Sequence, residues 1–197
     1  LQRLSGDKGF DRDLLLPMEW ARQFRQRNLG AKAGVTTQFV VGAAGESDSE
    51  ILGTVERLYR EFKLTRAYFS AFQPIPRTPL EGVVPASPLR EHRLYQSDYL
   101  FRYYGFALQE LVFDCGGNLS MDADPKMAWA WAHPERFPVE VNRASRGQLL
   151  RVPGIGPRSA KRILRMRRQG KLQDLRDIRA SGAVASRAAS FILLDGH

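Results

Sequence analysis

The residues best suited to chemistry in this sequence form a glycine-rich turn near the C-terminus. Residues 149–164 have the sequence LLRVPGIGPRSAKRIL, in which one helix is predicted to end near Val152 and Pro157 to open the next. Gly154 and Gly156 let the backbone turn sharply and bring its N–H groups close to a ligand. Because free N–H groups and the helix dipole favour phosphate at a helix start, we expect anion binding here.

Basic residues concentrate around the same turn. The 197-residue chain has 30 Lys and Arg against 21 Asp and Glu, yet residues 136–197 carry a net charge of +10 and residues 1–135 carry −1. No acid occurs between Glu140 and Asp174. Clustered positive charge binds a polyanion by releasing counterions, and the alternative is a solvated basic face or a protein contact. The predicted phosphate-contacting residues are Gly154, Gly156, Arg158, Ser159, Lys161, Arg162 and Arg165.

The segment that begins at Val141, VNRASRGQLLRVPGIGPRSAKRIL, resembles a helix–hairpin–helix DNA-binding element of the competence-protein type. A second hairpin is expected over residues 174–192, where residues 181–184 (SGAV) replace the Gly-Ile-Gly turn, so this copy is expected to be mainly structural. Ile155 is expected to fill the core between the paired hairpins. The resemblance implies contact with the phosphate backbone of double-stranded DNA, without strong sequence preference.

A second glycine-rich turn lies in the N-terminal half of the chain. Residues 38–50 have the sequence QFVVGAAGESDSE, a β-rich run that ends in glycines and leads into a helix with a capping box formed by Ser47 and Glu50. Another β-rich run, RAYFSAF, follows at residues 66–72. A strand, a helix and a strand in this order predict a parallel pair of strands.

This turn and the two strands, with the QPIPRTP that follows, are similar to a late strand-and-turn signature of radical S-adenosylmethionine (radical SAM) enzymes. The whole chain resembles the latter part of the DNA modification and repair radical SAM proteins that are linked with a uracil-DNA-glycosylase-like partner. The resemblance implies that Gly42, Gly45 and Glu46 lie near S-adenosylmethionine in the complete parent protein. The alternative from the residues themselves is that the glycines form a tight turn and Glu46 precedes a helix N-terminus.

The chain departs from that family in its cysteines. Radical SAM enzymes hold a [4Fe–4S] cluster with three cysteines, whereas this sequence has one, Cys115. We therefore expect the chain alone to bind no cofactor, and S-adenosylmethionine and the iron–sulfur cluster to belong to a longer parent of which this is the C-terminal part. His92, His133 and His197 are too scattered to form a metal site. No catalytic residue is assigned, and the alternative function is a non-catalytic nucleic-acid-binding or scaffold subunit that docks the glycosylase-like partner.

These features predict an α/β fold followed by an all-α region. Residues 1–85 are expected to be the C-terminal part of a radical SAM-like (β/α) barrel, residues 86–138 a helical connecting region and residues 139–197 the hairpin domain. A full barrel takes about 200–250 residues, so this barrel segment is expected to be partial. Since no apolar run approaches about 20 residues, no membrane-spanning helix is expected. A single cysteine suits a cytoplasmic protein.

Two longer helices are predicted to support these turns. The first covers residues 14–28, with Trp20 and Phe24 on one face, and a loop through residue 34 follows it. The second is a long amphipathic helix, rich in Tyr, Phe and Leu, over residues 88–112.

A shorter helix is predicted to precede the basic region. It begins at Pro125, is capped by Asp124 and stops at His133. Trp129 and Trp131 lie two residues apart on this helix and cannot share a face, so at least one of them is expected in the core.

Overall fold

The computed structural model describes residues 7–29 and 34–196, and the chain forms two compact units. The first unit comprises Leu1–Asp98 with Cys115–Asn118, and the second comprises Tyr99–Asp114 with Leu119–His197. The loop predicted after the first helix falls mostly on residues 30–33, which lie outside the described residues. Among the described residues, no helix combines the length and apolar character that crossing a membrane requires.

A parallel pair of strands organises the first unit. In chain order its elements are a π-helical turn (Asp11–Leu15), α1 (Leu16–Gln26), β1 (Thr36–Val41), α2 (Asp48–Glu61), β2 (Arg66–Ala71) and α3 (Pro88–Tyr99). Thr36 of β1 lies opposite Arg66 of β2, and Val41 lies opposite Ala71. The strand–helix–strand prediction is therefore confirmed. The described residues form no barrel, because β1 and β2 make a two-stranded sheet and closure requires many more strands.

A capping box fixes the start of α2, and its apolar side chains bury it against the two strands. The Ser47 hydroxyl accepts a hydrogen bond from the Glu50 N–H at 3.3 Å, and the Glu50 carboxylate accepts one from the Ser47 N–H at 2.8 Å. This is the predicted capping box. Leu52 is fully buried, as are Val41 of β1 and, almost completely, Phe69 of β2. These side chains form part of the apolar core of the first unit.

The long helix predicted over residues 88–112 is shorter than expected. α3 continues as a π-helical turn, Leu100–Tyr104, and the helix ends at Gly105, whose φ of 68° is left-handed. A glycine in this conformation is a common helix stop. The residues after it form a 3₁₀ turn, Leu108–Glu110. The apolar spacing continued past Gly105 and hid this stop in the sequence.

The first helix also differs from its prediction over residues 14–28. The helical backbone begins at Asp11, as a π-helical turn, and α1 ends at Gln26. Trp20 and Phe24 remain about half exposed, at 53% and 51%.

Short helices around one apolar core build the second unit. After the Leu108–Glu110 turn, its elements are α4 (Pro125–Ala132), a 3₁₀ turn (Pro134–Arg136), β3 (Val139–Glu140), α5 (Arg146–Arg151), α6 (Pro157–Met166), α7 (Leu175–Ala180), α8 (Ala185–Ala188), a 3₁₀ turn (Ala189–Phe191) and β4 (Ile192–Leu193). β3 and β4 pair in parallel, with Val139 opposite Ile192. The core includes Val139 of β3, Leu149 of α5 and Ile178 of α7, together with Val141 just after β3.

The start of α4 is as predicted. Pro125 occupies the first helical position, and the Asp124 carboxylate accepts a hydrogen bond from the Met127 N–H at 3.1 Å. Trp129 is 5% exposed and Trp131 is 63% exposed. The expectation that at least one of the two lies in the core is therefore confirmed.

Candidate nucleic-acid interface

The predicted hairpin is formed by α5, a turn over residues 152–156, and α6. The turn is tight because the Ile155 N–H donates to the Val152 carbonyl at 3.2 Å and Gly154 has a φ of 84°. Pro157 occupies the first position of α6, as predicted. The turn therefore delivers the chain directly into the start of a basic helix.

Gly154 is required by the close approach of a second hairpin. That hairpin consists of α7, a turn over residues 181–184, and α8. The Val184 N–H donates to the Gly154 carbonyl at 2.9 Å. A Cβ atom added at Gly154 would lie 2.5 Å from the Val184 carbonyl oxygen and 3.1 Å from Cβ of Arg187. The structure thus places Gly154 at the contact between the two hairpin turns.

Ile155 faces the interior between the hairpins. It is 1% exposed and belongs to the same apolar core as Ile178, Ala183 and Ala188 of the second hairpin. The prediction that Ile155 fills this core is confirmed. The turn is consequently anchored by its central side chain.

The start of α6 is chemically unlike the starts of its neighbours. α5 begins with a capping box in which Ser145 accepts from the Gln148 N–H, and α7 begins with the Asp174 carboxylate accepting from backbone N–H groups. The N-cap residue of α6 is Gly156, which has no side chain and provides no cap. The first N–H groups of a helix have no partner within the helix. This helix start is therefore left open for an external acceptor.

Four exposed cations follow that open start: Arg158, Lys161, Arg162 and Arg165. None of them forms an ion pair within the part of the chain that the structure describes. Ser159, by contrast, is 6% exposed, so a contact with a ligand would come from its backbone N–H. The seven predicted residues thus divide into surface cations, backbone donors and the packing glycine Gly154.

A basic groove of about 360 Å³ extends this surface. Its lining residues are Arg146, Pro157, Lys161, Leu164, Arg165 and Arg168. Four of the six are cations, and no acid lines the groove. Arg146 and Arg168 were not among the predicted contact residues, although both belong to the acid-free segment. Helical spacing already places Arg168 on the side of Lys161 and Arg165. The placement of Arg146 beside them follows only from the packing of α5 on α6.

Other basic residues of the same segment serve the fold. Arg151 donates to the Glu110 carboxylate at 2.7 Å and lies over the Phe106 ring at 3.9 Å from its centre. Arg167 donates to the carbonyls of Val141 at 3.0 Å and Ala144 at 2.6 Å. These guanidinium groups satisfy internal acceptors. The net charge of the segment therefore overstates the number of cations available to a ligand.

Lys126 is a residue at this turn that the sequence did not single out. Its ammonium Nζ donates to the Ile155 carbonyl at 2.6 Å, and the residue is 8% exposed. Burial lowers the pKa of Lys126 to about 7, against an ordinary value of 10.5. A lysine within the apolar helix sequence PKMAWAWA was the available signal, since an amphipathic surface helix would carry more polar residues.

The N-terminal turn is closed by its own carboxylate. Glu46 accepts hydrogen bonds from the N–H groups of Gly42 and Ala44, the second at 3.0 Å. Gly42 and Gly45 have φ values of 90° and 77°, which glycine adopts without strain. Arg90 donates to the Glu46 carbonyl at 2.6 Å. The structure thus brings the three predicted cofactor-binding residues together, with the carboxylate engaged by the turn itself.

The residues of this chain do not fit the iron–sulfur cluster that the resemblance implies. Such a cluster needs three cysteine thiolates, and the chain has only Cys115, which is exposed. Among residues 7–29 and 34–196, no group of three His, Cys, Asp or Glu side chains is arranged to hold a metal ion. No cofactor chemistry is therefore assigned to a residue of this chain.

Comparison with known families gives a match in the basic region. Residues 136–182 match the model of the helix-hairpin-helix motif, a match that covers α5, α6 and α7 and supports a DNA-binding module in the second unit. Searches of curated proteins and of solved structures found no match to the chain.

Proposed function

We propose that the second unit binds double-stranded DNA through its phosphate backbone, without strong sequence preference. The observation that carries this proposal is the uncapped start of α6 at Gly156, placed at a hairpin turn and followed by exposed cations. The N–H groups of Arg158 and Ser159 are the unpaired donors that such a helix start offers to a phosphate oxygen. Backbone contacts of this kind position a protein on DNA and carry little sequence information.

The exposed cations supply the electrostatic part of the interaction. Arg158 and Arg162 lie four positions apart on α6, so their side chains share one face of the helix. Each phosphate that they neutralise releases condensed counterions, which makes the affinity fall as salt rises. The groove that contains Arg146 and Arg168 would add contacts to a neighbouring phosphate along the same strand.

The salt dependence of duplex binding tests this function. We expect the double variant Arg158→Ala/Arg162→Ala to bind more weakly and to lower the slope of log affinity against log salt by about 1.8, at about 0.9 for each lost contact. The matched control is Arg57→Ala/Arg60→Ala, which removes two exposed arginines from α2 of the first unit. Equal affinities and slopes for wild type and the hairpin variant would contradict the assignment.

We further propose that the parent protein is a DNA modification or repair radical SAM enzyme, in which the hairpin unit presents DNA to the catalytic barrel. Two features support this proposal: the order of the sequence motifs, and the parallel β1–α2–β2 unit, which suits consecutive strands of a barrel. With one cysteine, this chain would contribute the DNA-binding part and the turn at Gly42–Glu46. S-adenosylmethionine and a [4Fe–4S] cluster would be held by the parent.

The gene sequence upstream of Leu1 tests that proposal. A CxxxCxxC-type motif in the same reading frame, together with iron–sulfur absorbance of the purified full-length product, would support the enzyme. A reading frame without such a motif would favour the second candidate, a non-catalytic DNA-binding or scaffold subunit that docks a uracil-DNA-glycosylase-like protein. The observation that favours this second candidate is the single cysteine of the chain.

A further inference from the structure

A buried lysine lies directly behind the hairpin turn. Lys126 occupies the second position of α4, is 8% exposed and donates from its Nζ to the Ile155 carbonyl at 2.6 Å. Burying an ammonium group is costly unless it is paired or hydrogen-bonded. An apolar side chain would fill the same space without this cost.

The groups around the ammonium do not form a simple ion pair with it. The Tyr104 ring lies 4.5 Å from Nζ, in cation–π geometry. Asp124 favours the charged ammonium, whereas Arg187 and Arg151 disfavour it. The Asp124 carboxylate itself is engaged by the Met127 N–H and by the Arg187 guanidinium. Among the described residues, the Ile155 carbonyl is the hydrogen-bond acceptor that holds Nζ in place.

The geometry of the peptide bond links this contact to the ligand side of the turn. The Ile155 carbonyl and the Gly156 N–H belong to one planar trans peptide, so they point in opposite directions. Lys126 holds the carbonyl toward the protein interior, and the Gly156 N–H is consequently directed away from it. Gly156 is the residue from which the uncapped helix α6 begins. The ammonium thus fixes the orientation of a donor at the open helix start.

We propose that Lys126 is a positioning residue for phosphate binding, which acts by holding the Ile155 carbonyl inward and the Gly156 N–H outward. The inference rests on the proposed function of the second unit. The charge of Lys126 also adds to the positive potential on the outward side of the turn, where an anion would lie. A neutral amine at the same position would make a weaker hydrogen bond and contribute no charge.

Titration of Lys126 predicts how DNA affinity and stability depend on pH. Because burial lowers the pKa of Lys126 to about 7, its charge is lost as pH rises through neutrality, and DNA affinity should fall. The stability of the second unit should change in the opposite direction. Between about pH 7 and 10.5 the unfolded lysine holds a proton that the folded one has released, so folding becomes more favourable as pH rises. If Lys126 had a purely structural role, DNA affinity would not fall with rising pH while the stability of the second unit increases.

The experiment measures duplex affinity and urea unfolding at pH 6.0 and 8.5 for wild type, Lys126→Met and Lys171→Met. Lys126→Met retains the length of the side chain and removes its charge. Lys171→Met removes an exposed lysine of the same unit that pairs with Asp195. We expect wild-type affinity to fall about tenfold between the two pH values, as for loss of one hydrogen bond to a charged group. Lys126→Met should bind about tenfold more weakly at pH 6.0 and show no such fall, whereas Lys171→Met should follow the wild-type pH profile.

The possible outcomes separate the inference from the function on which it rests. If wild type binds DNA and Lys126→Met retains both its affinity and its pH dependence, the positioning role is wrong and the function stands. If wild type does not bind DNA at pH 6.0, the proposed function fails and the inference fails with it. Should Lys126→Met not fold, the wild type alone decides, because parallel pH trends of affinity and stability would overturn the inference and opposite trends would support it.

Discussion

The two glycine-rich turns of this chain precede helices in similar ways but leave their backbone donors in different states. In the turn after β1, the Glu46 carboxylate accepts from the N–H groups of Gly42 and Ala44, and Ser47 caps the helix that follows. In the hairpin turn, Gly156 starts α6 without a side-chain cap. The comparison shows that a glycine-rich turn before a helix indicates an anion site only when its N–H groups are not already used by the protein.

The hairpin turn should be the less tolerant of the two to an added side chain. Gly154→Ala would place Cβ 2.5 Å from the Val184 carbonyl oxygen at a left-handed φ, so we expect the second unit to lose about 3 kcal/mol of unfolding free energy. Gly45 has a similar φ, but nothing lies within 4 Å of its added Cβ, and Gly45→Ala should cost about 1 kcal/mol. Amide hydrogen exchange measures the two units separately. Similar losses in both variants would show that the contact between the hairpins is not tight.

Closing the open turn should abolish most DNA binding. Gly156 has φ −99° and ψ 175°, a conformation typical of a capping residue, so the carboxylate of Gly156→Asp can accept from the Ser159 N–H. Its negative charge would occupy the place of the phosphate, and we expect duplex affinity to fall about 100-fold, as like charges at an interface cost several kcal/mol. The unfolding free energy should not decrease by more than a few tenths of a kcal/mol, because the new cap offsets the close contact with Tyr104.

Fluorescence anisotropy with a labelled duplex measures this loss, and Gly156→Ala is the matched control. The alanine adds the same Cβ, 3.3 Å from the Tyr104 hydroxyl, without a charge or a cap, and should retain most of the affinity. A similar loss in both variants would assign the effect to shape rather than to the open helix start.

Removing the Glu46 carboxylate from the N-terminal turn should lower the stability of the first unit without changing DNA affinity, and the loss should be smaller than that in Gly154→Ala. Glu46→Ala removes the acceptor of two backbone N–H groups, at Gly42 and Ala44, so we expect the first unit to lose about 1–2 kcal/mol. Duplex affinity should remain within about twofold of wild type, because the proposed contacts all lie in the second unit. Urea unfolding and anisotropy check the two expectations. A large loss of DNA affinity would mean that the first turn also contributes to binding.

Local signals predicted most of the elements. Ser47 and Asp124 occupy capping positions that depend on the residues within one helical turn, and both caps are present. Gly154 and Pro157 likewise allowed the position of the hairpin turn to be predicted from the local sequence, although contacts from Lys126 and Val184 hold it in the fold. The predicted end of the helix that begins at Pro88 was wrong, because the apolar spacing continues past Gly105, where the helix stops.

Tertiary contacts determine the features of the site that the sequence did not predict, namely which basic side chains are buried and which are exposed. Arg151 and Arg158 are indistinguishable as residue types, but Arg151 finds Glu110, 41 residues away, and turns inward. Lys126 meets the Ile155 carbonyl across 29 residues, a pairing for which no local spacing rule exists. Such contacts determine which cations face a ligand and which are part of the fold.

The hydrogen bond between the Val184 N–H and the Gly154 carbonyl bears on how short a fragment can be and still keep the hairpin turn in shape. The stretch that matches the helix-hairpin-helix model ends at residue 182, before Val184, and begins at residue 136, after Lys126. Both hydrogen bonds that hold the turn from outside therefore come from beyond the matched stretch. A peptide of residues 136–182 would contain the recognisable motif but lack these two hydrogen bonds. We therefore expect it to hold the turn less firmly than the complete second unit, which also supplies Tyr104 and Glu110 as contacts of Lys126 and Arg151.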